Sequence, residues 1–284
     1  MDLLSLDHVH FAVPDLARAQ ELFGPFLRGV FTPVYGGPEL NARGTWNSSG
    51  GDFVQPLRRG EPVFGGAPID KEGILSVSFR VADLDAGIAQ ARTAGLRLLS
   101  RIGSEDVGFG RNVVQAQFAA AESFGLGVEL VERQIPGDPH RPITDSVVDH
   151  VEHTVRDLEA PVAFLEALFG SPFEPVRTDL SIGARGARHP RLGIQLTAPT
   201  GPRGVVAERI AKLGEGTHAI AFRSDDLEHS VREAVARGLV PARRRACAPG
   251  VLEVEFEAEA GVILKLVQRA ASGPPGSAPL PSRA

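Results

Sequence analysis

The chain has 284 residues, enough for two domains of ordinary size that each bury a core. Hydrophobic residues make up 43% and charged residues 23%, which fits a folded globular protein and excludes a disordered one. The net charge of −5, with both signs interspersed, offers no basic face to nucleic acid, and no apolar run is long enough to span a bilayer.

In chain order, the start Met1-Asp2-Leu3-Leu4-Ser5 lacks the basic, then apolar pattern of a secretory signal. A first alternating strand begins near Leu6, and Asp15 opens a helix over Asp15–Leu27. Short runs rich in Val, Phe and Leu, broken by Gly and Pro, then read as antiparallel strands. A second strand begins near Leu75, with a helix over Asp83–Ala94 that Gly95 terminates. Three prolines between Gln134 and Pro142 forbid a regular element, so residues 134–146 read as a linker. Strands begin again near Val148 and His218, followed by helices over Asp157–Phe169 and Asp226–Arg237, the second ended by Gly238. An additional short helix is expected over Val205–Leu213, and residues 271–284 read as a flexible low-complexity tail. The lone cysteine, Cys247, excludes an internal disulfide and suits a reducing cytoplasm.

The same strand–Asp-Leu–helix phrase thus occurs four times. Asp7-His8-Val9-His10 through Leu16 recurs as Asp149-His150-Val151-Glu152 through Leu158, and Val77-Ser78-Phe79-Arg80 recurs as Ile220-Ala221-Phe222-Arg223, at almost the same spacing. Two separate segments at nearly one offset indicate duplication of a whole half. The expected fold is α+β: four βαβββ modules pairing into two fused cup-shaped mixed sheets with helices on the outer faces, residues 1–133 forming one half and 147–270 the other.

Strand alternation puts Val9, Phe11 and Val13 on the helix-facing side and His8, His10 and Ala12 in the hollow. The third module repeats this, with His150 and Glu152 in its hollow. Two histidines on one concave face need polar partners, a metal or a carboxylate.

The phrase Leu6-Asp7-His8-Val9-x-Phe11-x-Val13-x-Asp15-Leu16 and the ending Gly127-Val128-Glu129-Leu130-Val131-Glu132 resemble the opening and closing strands of the vicinal oxygen chelate superfamily, which includes glyoxalases, bleomycin-resistance proteins, extradiol dioxygenases and methylmalonyl-CoA epimerases. The resemblance covers nearly all of residues 4–269 and implies a divalent metal at the floor of each cup, held from the first and last strands of two modules. Carried onto this sequence, it implies His8, Asp52 and Glu129 as ligands, with Ser76 where many members have a histidine. The ion would be Mn²⁺, Fe²⁺, Zn²⁺ or Mg²⁺. In the second half the same positions are His150, Gln195, Ala219 and Lys265, so that half is expected to have lost its metal. A pairing of the first module with the fourth, and of the second with the third, would instead join Glu129, His150, Gln195 and Ser76 in one site and His8, Asp52 and Lys265 in another.

The implied activity is isomerisation, epimerisation or elimination beside a carbonyl of a small anionic substrate, through an enediolate-like intermediate. Glu129 or Asp52 would carry the proton, and His10, Arg80, Ser76 and Trp46 would contact substrate. Lys265 is a general base if buried with a depressed pKa, and otherwise a solvated lysine. Two alternatives stand beside this: a metal-free protein of the same fold that binds or transforms a small molecule, and, lower, an iron extradiol dioxygenase. The partners expected are a small molecule only, with neither nucleic acid nor membrane, and the protein would be a monomer or homodimer.

Overall fold

Hydrophobic alternation and well-capped short helices produce the expected repeat. The computed structural model describes residues 3–47, 49–64, 68–69, 71–103, 113–133, 147–256 and 261–270. The expected linker and tail lie outside the described residues.

The first sheet has eight strands in the order β2-β3-β4-β1-β5-β8-β7-β6, and the second repeats it as β10-β11-β12-β9-β13-β16-β15-β14. In the first, β1 (Leu3–Ala12) and β5 (Gly73–Val81) lie side by side at the centre, flanked by β4 (Gly51–Pro56) and β8 (Val128–Arg133). In the second, β9 (Val148–Thr154) and β13 (Gly216–Arg223) hold the centre, with β12 (Ile194–Pro199) and β16 (Ile263–Arg269) beside them. Consecutive modules therefore pair, and the alternative pairing of first with fourth is excluded.

Five helices are described: α1 (Leu16–Phe23), α2 (Leu84–Thr93), α3 (Glu159–Phe169), α4 (Val205–Leu213) and α5 (Leu227–Ala236). Asp15, Asp83 and Asp226 accept hydrogen bonds from free backbone N–H groups at the starts of α1, α2 and α5. Asp157 does the same one residue earlier, accepting from the N–H of Glu159. Helix α1 ends short of Leu27, because Pro25 has no N–H with which to continue the ladder. Among the described residues no helix is long and apolar enough to cross a membrane.

The helix-facing sides of both sheets share one core. Phe26 packs against Phe222 and Phe256, and Phe169 packs against Phe79, so aromatic rings from the turn after α1 and from α3 each reach the other half. Phe79 and Phe222 are equivalent positions of the duplication, which makes the contact nearly symmetric. Gln90 of α2 donates to the carbonyl of Leu168 in α3, and Arg237, just after α5, donates to the carbonyl of Glu21 in α1. The helices, expected on the outer faces, do lie on the convex side of their own sheets. Because the convex sides meet, those helices pack between the halves and the hollows open away from the shared core. The first hollow has its own small apolar cluster of Ala12, Ala42, Val54, Val63 and Ile69.

His153 joins the halves by hydrogen bonding. Its Nε2 donates to the carbonyl of Phe124 in the first half, at 2.9 Å, which leaves Nδ1 to accept from the Thr217 hydroxyl. Burial holds this imidazole at a pKa of about 4, well below the usual 6.5.

Candidate metal site

The first hollow is built from two rows of side chains running across the sheet. One row follows the register His8–Ser78–Glu129–Gln117 through β1, β5, β8 and β7 (Val113–Phe118). The other runs Trp46–Asp52–His10–Ser76 through β3 (Ala42–Asn47), β4, β1 and β5. Gly127, at the entry to β8, makes this alignment accessible: a Cβ there would lie 2.0 Å from the carbonyl oxygen of Leu75.

The rows meet at the two imidazoles. His8 Nε2 and His10 Nε2 lie 2.6 Å apart. Around them, Glu129 Oε1 is 3.5 Å from His8 Nε2 and 3.4 Å from His10 Nε2, and Asp52 Oδ2 is 3.3 Å from His10 Nε2. All four side chains are buried. His8, His10 and Asp52 each offer one ligand atom within 4.8 Å of the others. Two nitrogens this close require a proton or a cation between them, and two imidazoles with two carboxylates suit a divalent ion.

Neighbouring groups orient these donors. His8 Nδ1 lies 2.8 Å from Asp7 Oδ1, and Arg133 donates to both oxygens of Asp7. With Nδ1–H directed at Asp7, the His8 Nε2 lone pair faces the cluster. Ser78 and Gln117 donate to the two oxygens of Glu129, at 2.7 and 3.0 Å, and Tyr35 donates to Asp52 Oδ1 at 2.8 Å. Burial opposes charge on His8 and Glu129. Even so, hydrogen bonds to Asp7 and Glu129 raise His8 to about 9, and the His10 and His8 rings beside Glu129 hold its carboxyl at about 2. Asp7→Asn is expected to weaken metal binding about 10- to 100-fold, as loss of an orienting carboxylate does, and competitive chelator titration measures it.

A cavity of about 230 Å³ opens above the second row. His10, Asp52, Ser76, Gln115 and Gln117 give it a polar floor, and Val54, Phe64, Leu75 and Phe118 are among its apolar walls. Among the described residues no lysine or arginine lines it.

His8, Asp52 and Glu129, singled out from sequence, thus converge in one hollow, but several neighbours differ from expectation. Ser78 takes the place foreseen for Ser76: it bonds Glu129 and lies 3.1 Å from His8 Nε2, while Ser76 lines the cavity. His10 is itself part of the cluster. Glu129 lies behind the imidazoles, outside the cavity lining, whereas Asp52 is part of that lining. Arg80 pairs with Ser5 and Val131 toward the far end of the sheet and does not line the cavity. Trp46 is not in the lining either; the Arg133 guanidinium packs over its ring at 5.7 Å.

The signal that sequence reasoning missed is a β-bulge. Leu6 pairs with Phe79 and His8 with Ser78, so Asp7 is an extra residue on β1. Leu6 accordingly faces the core although it shares its parity with His8, and Asp7 is left beside the ring it orients.

In the second hollow, His150 is 3.7 Å from Glu152, and Lys265 is buried against Glu152, Glu253 and Glu255. Lys265 is therefore neither solvated nor a candidate base: burial opposes its charge, but the three carboxylates raise its pKa.

Residues 149–251 match the family model described as the Glyoxalase/Bleomycin resistance protein/Dioxygenase superfamily. No curated protein matches the chain. Over nearly its full length the fold is similar to a triple mutant of 4-hydroxymandelate synthase from Streptomyces coelicolor, with a TM-score of 0.70 and 19% identity over 95% of this chain and 93% of that one. It is also similar to catechol 2,3-dioxygenase, with a TM-score of 0.60 and 14% identity over 96% and 91%. A variant of Streptomyces coelicolor methylmalonyl-CoA epimerase aligns at 26% identity over 44% of this chain and 94% of its own, with a TM-score of 0.40.

Proposed function

We propose that the chain is a member of the vicinal oxygen chelate superfamily and that its first half is a divalent-metal-dependent isomerase, epimerase or lyase acting beside a carbonyl of a small, largely apolar substrate. The observation that carries this is the meeting of His8 Nε2 and His10 Nε2 at 2.6 Å, with Glu129 and Asp52 around them at the floor of an apolar cavity. His8, His10 and Glu129 would hold the ion, with Asp52 beside them on the cavity side. When bound, the ion supplies Lewis-acid polarisation of a substrate oxygen.

The chain's own residues do the rest. Asp52 lines the cavity and carries the proton at Oδ2, while Tyr35 hydrogen-bonds Oδ1 and fixes the carboxylate plane. Gln117 spans from Glu129 to the cavity and offers its amide to a substrate oxygen. Val54, Phe64, Leu75 and Phe118 exclude water from the reacting carbon.

A second reading draws on one specific observation. With His10 in the cluster, the first half holds two imidazoles and a carboxylate, the donor set of iron-dependent oxygenases. Asp52, facing the cavity as a carboxylate able to move a proton, favours the redox-neutral chemistry.

Metal analysis of wild type and His10→Ala, followed by anaerobic proton exchange in D₂O with small α-hydroxycarbonyl and 1,3-dicarbonyl compounds, tests the proposal. Expected are a metal lost in His10→Ala, and exchange lost in Asp52→Asn under saturating metal. Oxygen uptake with a catechol, and no anaerobic exchange, would select the oxygenase. A protein free of metal after reloading would leave only metal-free binding.

A further inference from the structure

We propose that the second half carries its own built-in cation: the Lys265 ammonium occupies the place that a divalent ion would take among His150, Glu152 and Glu253, and removing it opens a metal site there. The inference concerns the other hollow and stands independently of the reaction assigned to the first.

The register fixes the correspondence. His150 pairs with Ala221 as His8 pairs with Ser78, and Ala221 pairs with Lys265 as Ser78 pairs with Glu129. Lys265 therefore stands where Glu129 stands, and Glu152 stands where His10 stands. Two adjoining positions have changed charge together: an imidazole facing a carboxylate has become a carboxylate facing an ammonium. The orienting group survives, with Asp149 Oδ2 2.7 Å from His150 Nδ1 and Arg269 donating to both oxygens of Asp149, as Arg133 does to Asp7.

Geometry shows what the lysine does. Its Nζ lies 2.7 Å from Glu152 Oε1, 3.2 Å from Glu253 Oε1 and 3.3 Å from Glu255 Oε2, one carboxylate for each N–H. The side chain is only 2% exposed. His150, Glu152 and Glu253 each present one ligand atom within 4.8 Å of the others, as His8, His10 and Asp52 do in the first hollow. Arg245 pairs with Glu253 at 2.8 Å, and Arg209 of α4 approaches Glu152 at 3.8 Å, so the remaining negative charge is also matched. Helix α4 has no counterpart among the described residues of the first half. A metal entering this hollow would meet an ammonium already bonded to its ligands. Without the ammonium, an imidazole and three carboxylates remain around a gap, a donor set for a hard divalent cation.

The test compares wild type, His10→Ala, Lys265→Ala and the double variant by Mn²⁺ or Zn²⁺ content after equilibrium dialysis, and by thermal unfolding. The double variant is expected to hold about one ion per chain that His10→Ala lacks. Mn²⁺ at a hundredfold excess over its Kd is expected to raise the unfolding temperature of Lys265→Ala/His10→Ala by roughly 5 °C or more, leaving His10→Ala unmoved. Methylammonium, which restores the missing group in trans, is expected to stabilise both Lys265→Ala proteins selectively. Recovery of Lys265→Ala only when refolded with Mn²⁺ or methylammonium supports the same conclusion. An ion that binds Lys265-containing protein independently of His10 overturns it, as does Lys265→Ala that gains neither metal nor amine stabilisation, or that fails to fold with either cation. If the first hollow proves metal-free, wild type binds nothing and Lys265→Ala still gains an ion, so the two ideas fail separately.

Discussion

Divalent-metal affinity of the first hollow is expected to fall about tenfold for each pH unit below 9, roughly a hundredfold between pH 9 and pH 7. Asp7 receives the Nδ1 hydrogen of His8, so added protonation occurs at Nε2, the atom facing His10 and Glu129. Desolvation alone would discourage that proton, but hydrogen bonds to Asp7 and Glu129 hold it with a pKa of about 9. Glu129, at about 2, stays ionised across the range and adds no second proton. Metal and proton therefore compete for one lone pair. Titrations at several pH values, with calorimetry in buffers of different ionisation enthalpy, measure the slope and the proton released; an affinity flat between pH 7 and 9 would contradict it. The same group shapes the stability of the metal-free protein. A folded pKa above the unfolded 6.5 contributes about 3 kcal/mol that is fully present below pH 6.5 and lost as pH rises through 9.

His153 has the opposite sign. Its folded pKa of about 4 lies below 6.5, so the folded protein holds it neutral while the unfolded chain takes up a proton. Stability is expected to fall by about 3 kcal/mol as pH drops from 6.5 toward 4, unlike the His8 contribution, which is lost on the alkaline side. Metal-free protein should then be most stable near pH 6.5, and bound metal should flatten only the alkaline limb. His153→Phe places there the residue that the first half carries at the equivalent position, Phe11. It leaves the Phe124 carbonyl without its donor, so stability at pH 7 should decrease, yet the acid limb should flatten. Denaturant unfolding of both proteins from pH 4 to 7 checks this, and an unchanged acid limb in the variant would place the titrating group elsewhere.

Much of this architecture was legible in the sequence because it depends on local rules. Alternation in β1, aspartates opening α1, α2 and α5, and Gly95 and Gly238 at helix ends follow from the two periodicities and from backbone geometry. Duplication then carried the pattern through the chain. The candidate site was only partly legible, because register lies between strands rather than along one. The extra residue at Asp7 shifts the pairing so that Ser78, not Ser76, meets His8 and Glu129. Glu129 was recognisable as a candidate from the closing-strand phrase, but its placement behind the imidazoles depends on four strands at once. Lys265 reads from sequence as an intrusion on a metal position; only the carboxylates of β15 (Val251–Phe256), brought alongside by pairing, turn it into a partner.

The back-to-back aromatic seam bears on how this duplication can be taken apart. Phe26 is satisfied by Phe222 and Phe256, and Phe79 by Phe169, so each half completes its own interior with rings from its twin. A fragment severed between the copies would turn those rings toward water and offer them to any similar surface, favouring self-association. The copies are thus free to diverge in their hollows, where one keeps imidazoles and the other an ammonium, but remain bound to one another along their spines.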